Sequence, residues 1–210
     1  MSAPVTEQPP VEEASNQSTA MTRFSGDQFL ARKKVFSFLG QKFHIYGPGG
    51  ELRFFIKQKA FKLKEAITVY ADETMSTPML KIQARSIMDF SGTYDIHTPE
   101  GEHLGSFKRE GLKSILRDKW LIFDTDDNQI GIIEEDSMMA AMLRRFLNNL
   151  IPQTFNVTIG GQQVAVFKQH FNPFVAKYDI DFSLDDTGAF DRRMGIAAVI
   201  LLLAIEGRQS

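Results

Sequence analysis

Four lysines crowd one short stretch, Lys57, Lys59, Lys62 and Lys64, with Lys33 and Lys34 not far upstream. Ammonium groups at this density can converge on the phosphates of an anionic head group. The same groups also serve as a solvated rim that keeps strand edges from pairing with other chains. Other reactive types are sparse. His97 and His103 flank one turn and can approach each other, yet turn histidines commonly titrate in solvent without a further role. Asp124, Asp126 and Asp127, and again Glu134, Glu135 and Asp136, bring carboxylates close in sequence, as an acid–base pair requires and as acidic hairpin tips also do. Gly47-Pro48-Gly49-Gly50 lacks the Gly-Lys-Ser/Thr of a phosphate-binding loop. Neither a Gly-x-Ser-x-Gly elbow nor a His-Glu-x-x-His helix occurs. With 0 cysteines, thiol nucleophiles, thiolate metal sites and disulfides are excluded together. The expectation is a protein that binds and is not an enzyme.

Charge is unevenly placed. Across 210 residues, 24 Lys and Arg face 26 Asp and Glu for a net charge of −2, which argues against a chain that coats nucleic-acid backbones. Between Arg23 and Lys64, however, ten basic residues meet two acidic ones, a net +8, and from Glu65 onward the net is −7. Such a division points to an anionic partner for one face, unless the fold interleaves the two segments and cancels the field. Residues 1–22 hold three Glu, no Lys or Arg, and Pro4, Pro9 and Pro10 among polar neighbours. That composition predicts a disordered tail of 1–22 and a single domain over 23–210. The tail has neither the basic start nor the apolar stretch of a secretory signal, so a cytoplasmic location is expected.

The elements that must carry these groups are hairpins. A unit of aromatic or β-branched strand, polar turn and second strand recurs five times. The first runs Phe43–Tyr46, turns through Gly47–Gly50 and returns along Leu52–Ile56. The second joins Ile67–Tyr70 to Met79–Ile82, the third Tyr94–His97 to Leu104–Lys108, the fourth Trp120–Phe123 to Ile130–Ile133, and the fifth Phe155–Ile159 to Val164–Phe167. The first, third, fourth and fifth turns are short and contain Gly, Asn or Asp, which tolerate the positive φ of a tight hairpin. Taking Ile45, Val69, Ile96, Ile122 and Val157 as equivalent, the spacings are 24, 27, 26 and then 35. The excess coincides with Ser137–Leu150, where Met139, Met142, Leu143, Phe146 and Leu150 fall at helical spacing and Arg144 and Arg145 interrupt them. This is an inserted amphipathic helix, able to plug a barrel mouth, dock a partner or lie on a membrane. With a strand at Phe29–Phe36 and a last one at Tyr178–Phe182, the total is about twelve strands, too many for one open sheet.

Met194–Ile205 is apolar on every side, which places it in lipid or inside protein. Twelve helical residues rise about 18 Å, against a bilayer core of about 30 Å, so a core helix is expected over a short tail anchor. A closed barrel of this many strands has a lumen too wide for its own side chains, and one apolar helix fills it. The fold class is therefore mainly β: a closed antiparallel barrel of about twelve strands around a buried C-terminal helix, plus the one amphipathic helix.

The hairpin units, the matching linkers Lys57-Gln58-Lys59-Ala60-Phe61 and Lys168-Gln169-His170-Phe171, and Tyr178-Asp179-Ile180-Asp181-Phe182 leading to the terminal helix resemble the Tubby C-terminal-like superfamily. The likeness spans Phe29–Gly207 and is nearest to its LURP-one-related and phospholipid-scramblase-like branches. It implies the barrel with its central helix. Members are linked to phosphoinositide binding, membrane tethering and calcium-dependent lipid scrambling, so the partners implied are anionic phospholipid or a protein at the cytoplasmic membrane face, with peripheral contact and no spanning helix. Lys57, Lys59, Lys62 and Lys64 become lipid-binding candidates on charge alone. Scramblase-like members carry an acidic loop before the last helix that is suggested to bind calcium, and the matching stretch here holds Asp179, Asp181, Asp185 and Asp186. The spacing lacks the glycine and glutamate of an EF-hand loop, and Asp191 at the helix start also reads as a cap. No resident cofactor other than such a calcium ion is expected, and acylation of cysteine is excluded.

Overall fold

The computed structural model describes residues 20–34, 40–58, 66–88, 91–110, 119–136, 152–170 and 176–206. Twelve strands follow in order: β1 (Gln28–Lys34), β2 (Gln41–Tyr46), β3 (Leu52–Gln58), β4 (Ile67–Tyr70), β5 (Pro78–Met88), β6 (Ser91–His97), β7 (His103–Arg109), β8 (Lys119–Phe123), β9 (Gln129–Glu135), β10 (Thr154–Ile159), β11 (Gln162–Gln169) and β12 (Lys177–Asp181). Each pairs with its neighbours in sequence, and β1 pairs antiparallel with β12 to close the barrel. The five hairpins read from the repeats are β2–β3, β4–β5, β6–β7, β8–β9 and β10–β11. The helix expected over Ser137–Leu150 lies outside the described residues, as does most of the 1–22 tail. The expected boundary at 22/23 falls inside a helical turn at 20–24, whose Phe24 packs on Phe54 with ring centroids 4.5 Å apart.

One detail recurs in all five hairpins. The register slips at Ile45/Tyr46, Val69/Tyr70, Ile96/His97, Ile122/Phe123 and Val157/Thr158, each time just before the turn. A bulge bends and twists its strand, so five repeats of it supply the curl that a closed barrel needs.

Alternation sends Phe29 and Ala31 of β1, Phe43 and Ile45 of β2, and Phe54 and Ile56 of β3 inward, all buried. The C-terminal helix α1 (Arg192–Glu206) fills the space these side chains surround, and every residue from Met194 to Ala204 is buried. Burying each of its large side chains contributes about 1.5–3 kcal/mol. No helix among the described residues is long and apolar enough to cross a membrane. The helix starts at the end of the barrel where the five hairpin turns lie, and Gly105 makes room for it: with φ +139°, a Cβ there would sit 2.5 Å from the Phe123 carbonyl oxygen and 3.0 Å from Met194 Cε.

Candidate functional site

In a meander of this kind, neighbours in sequence are neighbours in space, so the three strands of the +8 segment stay together on one side of the barrel. Strands β1, β2 and β3 stand side by side, and none of the three contains an Asp or Glu. Their outer face carries Arg32, Lys42 and Lys57, all exposed. Lys42 stands directly opposite Lys57. On the other flank Arg32 stands opposite Lys177 of β12. Like charges set facing each other across a ladder repel, and a structural surface gains nothing from that arrangement. A polyanion laid across the strands turns the repulsion into attraction.

Of the four lysines singled out in the sequence, Lys57 is on this wall; Lys59, Lys62 and Lys64 lie outside the described residues. Lys33 does not belong to the patch. It occupies the inward phase of β1, is 3% exposed, and holds its ammonium 5.9 Å from the Phe43 ring centroid. Gln58 and Glu135 are also buried, at inward positions on the strand ends away from the hairpin turns.

Toward the turns, the wall ends under a strap. The β4–β5 connection folds back so that Glu73 Oε1 meets His44 Nε2 at 2.7 Å. His44 stacks on Tyr46 and lies 5.1 Å from the Phe55 ring. This cover explains why Phe55, in the outward phase of β3, is buried. Within the strap, the Asp72 carboxylate accepts the Thr74 hydroxyl at 2.6 Å and its N–H at 2.9 Å, which holds Asp72 below the usual carboxylate range.

The acidic candidates separate. Asp179 pairs with His170 at 2.8 Å, Asp181 accepts the Ser183 N–H at 2.9 Å, and Asp186 is exposed. Asp185 is buried and committed to the start of α1, accepting the N–H of Ala189 at 2.8 Å and of Phe190 at 3.0 Å and pairing with Arg192 at 2.7 Å. Burial pushes its carboxyl up, but the Phe190 N–H, the Arg192 guanidinium and the Ala189 N–H outweigh it and hold the group below the ordinary range. Arg192 also reaches Asp27 ahead of β1 at 3.1 Å and lies 4.6 Å over the Phe182 ring. One guanidinium thus ties the helix to both strands of the closing seam. Asp191 caps α1 as expected, accepting the Arg193 N–H at 2.8 Å. Among the described residues, no group of three or more His, Asp and Glu is placed to hold a metal ion.

The remaining carboxylates take structural positions. Asp124 accepts the N–H groups of Asp126 and Asn128 inside the β8–β9 turn, and Asp127 pairs with Arg85, which also grips Asp95. Glu134 and Glu135 are successive residues of one strand and so face opposite sides, which prevents them from acting together on one bond. His97 and His103 do meet, with ring centroids 5.2 Å apart, and His103 Nε2 is 3.5 Å from Asp95 Oδ1.

Among curated proteins and among solved structures no significant match to the chain is found. A family model described as LURP-one-related matches residues 52–203, which takes in everything from β3 to the last turns of the central helix. The chain belongs to the LURP-one-related family, within the Tubby C-terminal-like superfamily.

Proposed function

We propose that the protein is a non-enzymatic binding module that attaches to anionic phospholipid at the cytoplasmic face of a membrane through the outer wall of β1, β2 and β3. The observation that carries this reading is the facing of Lys42 and Lys57 beside Arg32 on three adjacent strands that contain no carboxylate, in a chain whose net charge is −2. Three cations of the +8 segment, Arg32, Lys42 and Lys57, thus share one exposed face. Each Lys or Arg near an anionic bilayer contributes about 1 kcal/mol, and contact of this kind needs no spanning helix.

The test is flotation with vesicles of phosphatidylcholine alone and of phosphatidylcholine with phosphatidylserine, at low salt and at about 0.15 M, where the screening length falls to about 8 Å. Binding is expected only to the anionic vesicles, and it weakens with salt. The triple variant Arg32→Gln, Lys42→Gln, Lys57→Gln loses about 100-fold in affinity, three charges at about 1 kcal/mol each. Chelator and calcium arms run in parallel, and lipid scrambling is read from the same vesicles. Binding that ignores the anionic lipid, or that survives the triple variant, refutes the wall as the lipid site.

A further inference from the structure

The strict up-and-down order sorts connections to alternate ends of the barrel, and it sorts charge with them. The connections at the turn end (25–27, 47–51, 71–77, 98–102, 124–128, 160–161 and 182–191) contain twelve Asp and Glu and not one Lys or Arg. Some are neutralised by arginines reaching in from the strands and helix, as in Arg53–Glu51, Arg85–Asp127 and Arg193–Asp191. Glu100, Asp126 and Asp186 are exposed, and together with Asp124 they have no ion-pair partner among the described residues. The N–H groups of Asn128 and Asp126 hold the Asp124 carboxyl below the usual carboxylate range.

Among the described residues, exposed large apolar side chains lie at the same end. The exposed large hydrophobic side chains among the described residues are Met21, Met75, Ile130 and Leu184. Met21 lies in the helical turn before β1, Met75 in the strap, Ile130 beside the β8–β9 turn and Leu184 between β12 and α1. An acidic end studded with apolar tips is a poor match for an anionic bilayer and a good match for a cationic protein surface with apolar patches. This chain displays one itself: the β1–β3 wall, where half-buried Leu30 and Tyr46 lie among Arg32, Lys42 and Lys57.

We infer that the turn end of one copy docks on the β1–β3 wall of a second copy. The two faces are different parts of the surface, so the contact is heterologous, and repetition of it builds open head-to-tail chains and not closed dimers. The inference does not depend on lipid binding, although both would use the wall, and anionic lipid would then compete with a neighbouring copy.

Sedimentation velocity on the full chain tests it. At low salt the average mass is expected to rise continuously with protein concentration, with no fixed stoichiometry, and to fall back toward the monomer as salt is raised. A wall variant (Arg32→Gln, Lys42→Gln, Lys57→Gln) and a tip variant (Asp124→Asn, Asp126→Asn, Asp186→Asn) each remain monomeric, with circular dichroism and melting curves confirming that each is folded. Mixed in equal amounts, they stop at a dimer, because one supplies the only intact tip and the other the only intact wall. A native chain that stays monomeric at low salt, a variant that still assembles alone, or a mixture that stays monomeric overturns the inference. Failure of vesicle binding leaves these outcomes unchanged, so the two readings fail separately.

Discussion

Gly195 lies in the first turn of α1, where its N–H makes the first helical bond, 3.0 Å to the Asp191 carbonyl. Helix propensity says that alanine there should stabilise, by at most about 1 kcal/mol. Packing says the reverse. A Cβ at this position would lie 2.5 Å from Phe182 Cε1, overlap Cζ of the same ring, and come within 3.2 Å of Phe190 Cε1. Phe182 is fully buried and caged by Phe29, Phe167 and Phe190, at centroid distances of 6.1 to 6.2 Å, so the ring has nowhere to move. Overpacking of a tight core costs about 1–3 kcal/mol, and two blocked ring atoms place this site in the upper half of that range. The net expectation for Gly195→Ala is a loss of about 1–2 kcal/mol. At about 2–4 °C per kcal/mol for a chain of this size, Tm falls by about 2–8 °C, and the urea midpoint falls with no change in slope. The variant Gly195→Ala, Phe182→Leu relieves the overlap and recovers part of what its two single changes lose together. An unchanged or raised Tm for Gly195→Ala refutes the reasoning, because it means that the helix start is not pressed against Phe182.

Leu201 is 1% exposed in the middle of α1, and Leu201→Glu leaves a charge unpaired in the lumen; loss of cooperative unfolding is expected, read by near-ultraviolet circular dichroism. Asp185→Asn removes the charged partner of Arg192 and weakens the capping bonds, at a cost of about 2 kcal/mol at neutral pH. Because the Asp185 carboxyl titrates below the ordinary range in the folded protein, that contribution is fully present above about pH 4 and is lost as pH falls through the folded value. The native and Asp185→Asn proteins should therefore converge in stability on acidification, as denaturant midpoints taken at neutral and at strongly acidic pH will show. Vesicle flotation and sedimentation of the wall and tip variants complete the set.

Strands were legible because their signals are local. Phe43 to Ile56 and its four repeats carry the inward side chains and the turn residues within about a dozen positions, and the residues taken as equivalent, Ile45, Val69, Ile96, Ile122 and Val157, are the places where every hairpin has its bulge. The helix was legible because an all-round apolar segment has few places to go. What stayed hidden depends on pairs distant in sequence. His44 and Glu73 are 29 apart, and Arg192 and Asp27 are 165 apart, with nothing in either neighbourhood to announce the other. A hint was present in the unbroken apolar run Phe54-Phe55-Ile56, which departs from alternation and so indicates cover on both faces. Asp185 was weighed as a metal ligand for its type, whereas its burial beside Arg192 gives it the work of holding the helix start. The lysines illustrate the same limit: position along the chain placed Lys33 with its neighbours, and strand phase sent it inward.

The plug is made after every strand of the barrel. Synthesis runs from the amino terminus at about 5–20 residues per second, so all twelve strands leave the ribosome before the segment that keeps their inner surface dry. Until then the nascent protein is a greasy, unfilled sheet, a natural client for chaperones. A stop codon ahead of Met194 would leave it permanently in that condition, destined for aggregation or proteolysis despite containing every strand.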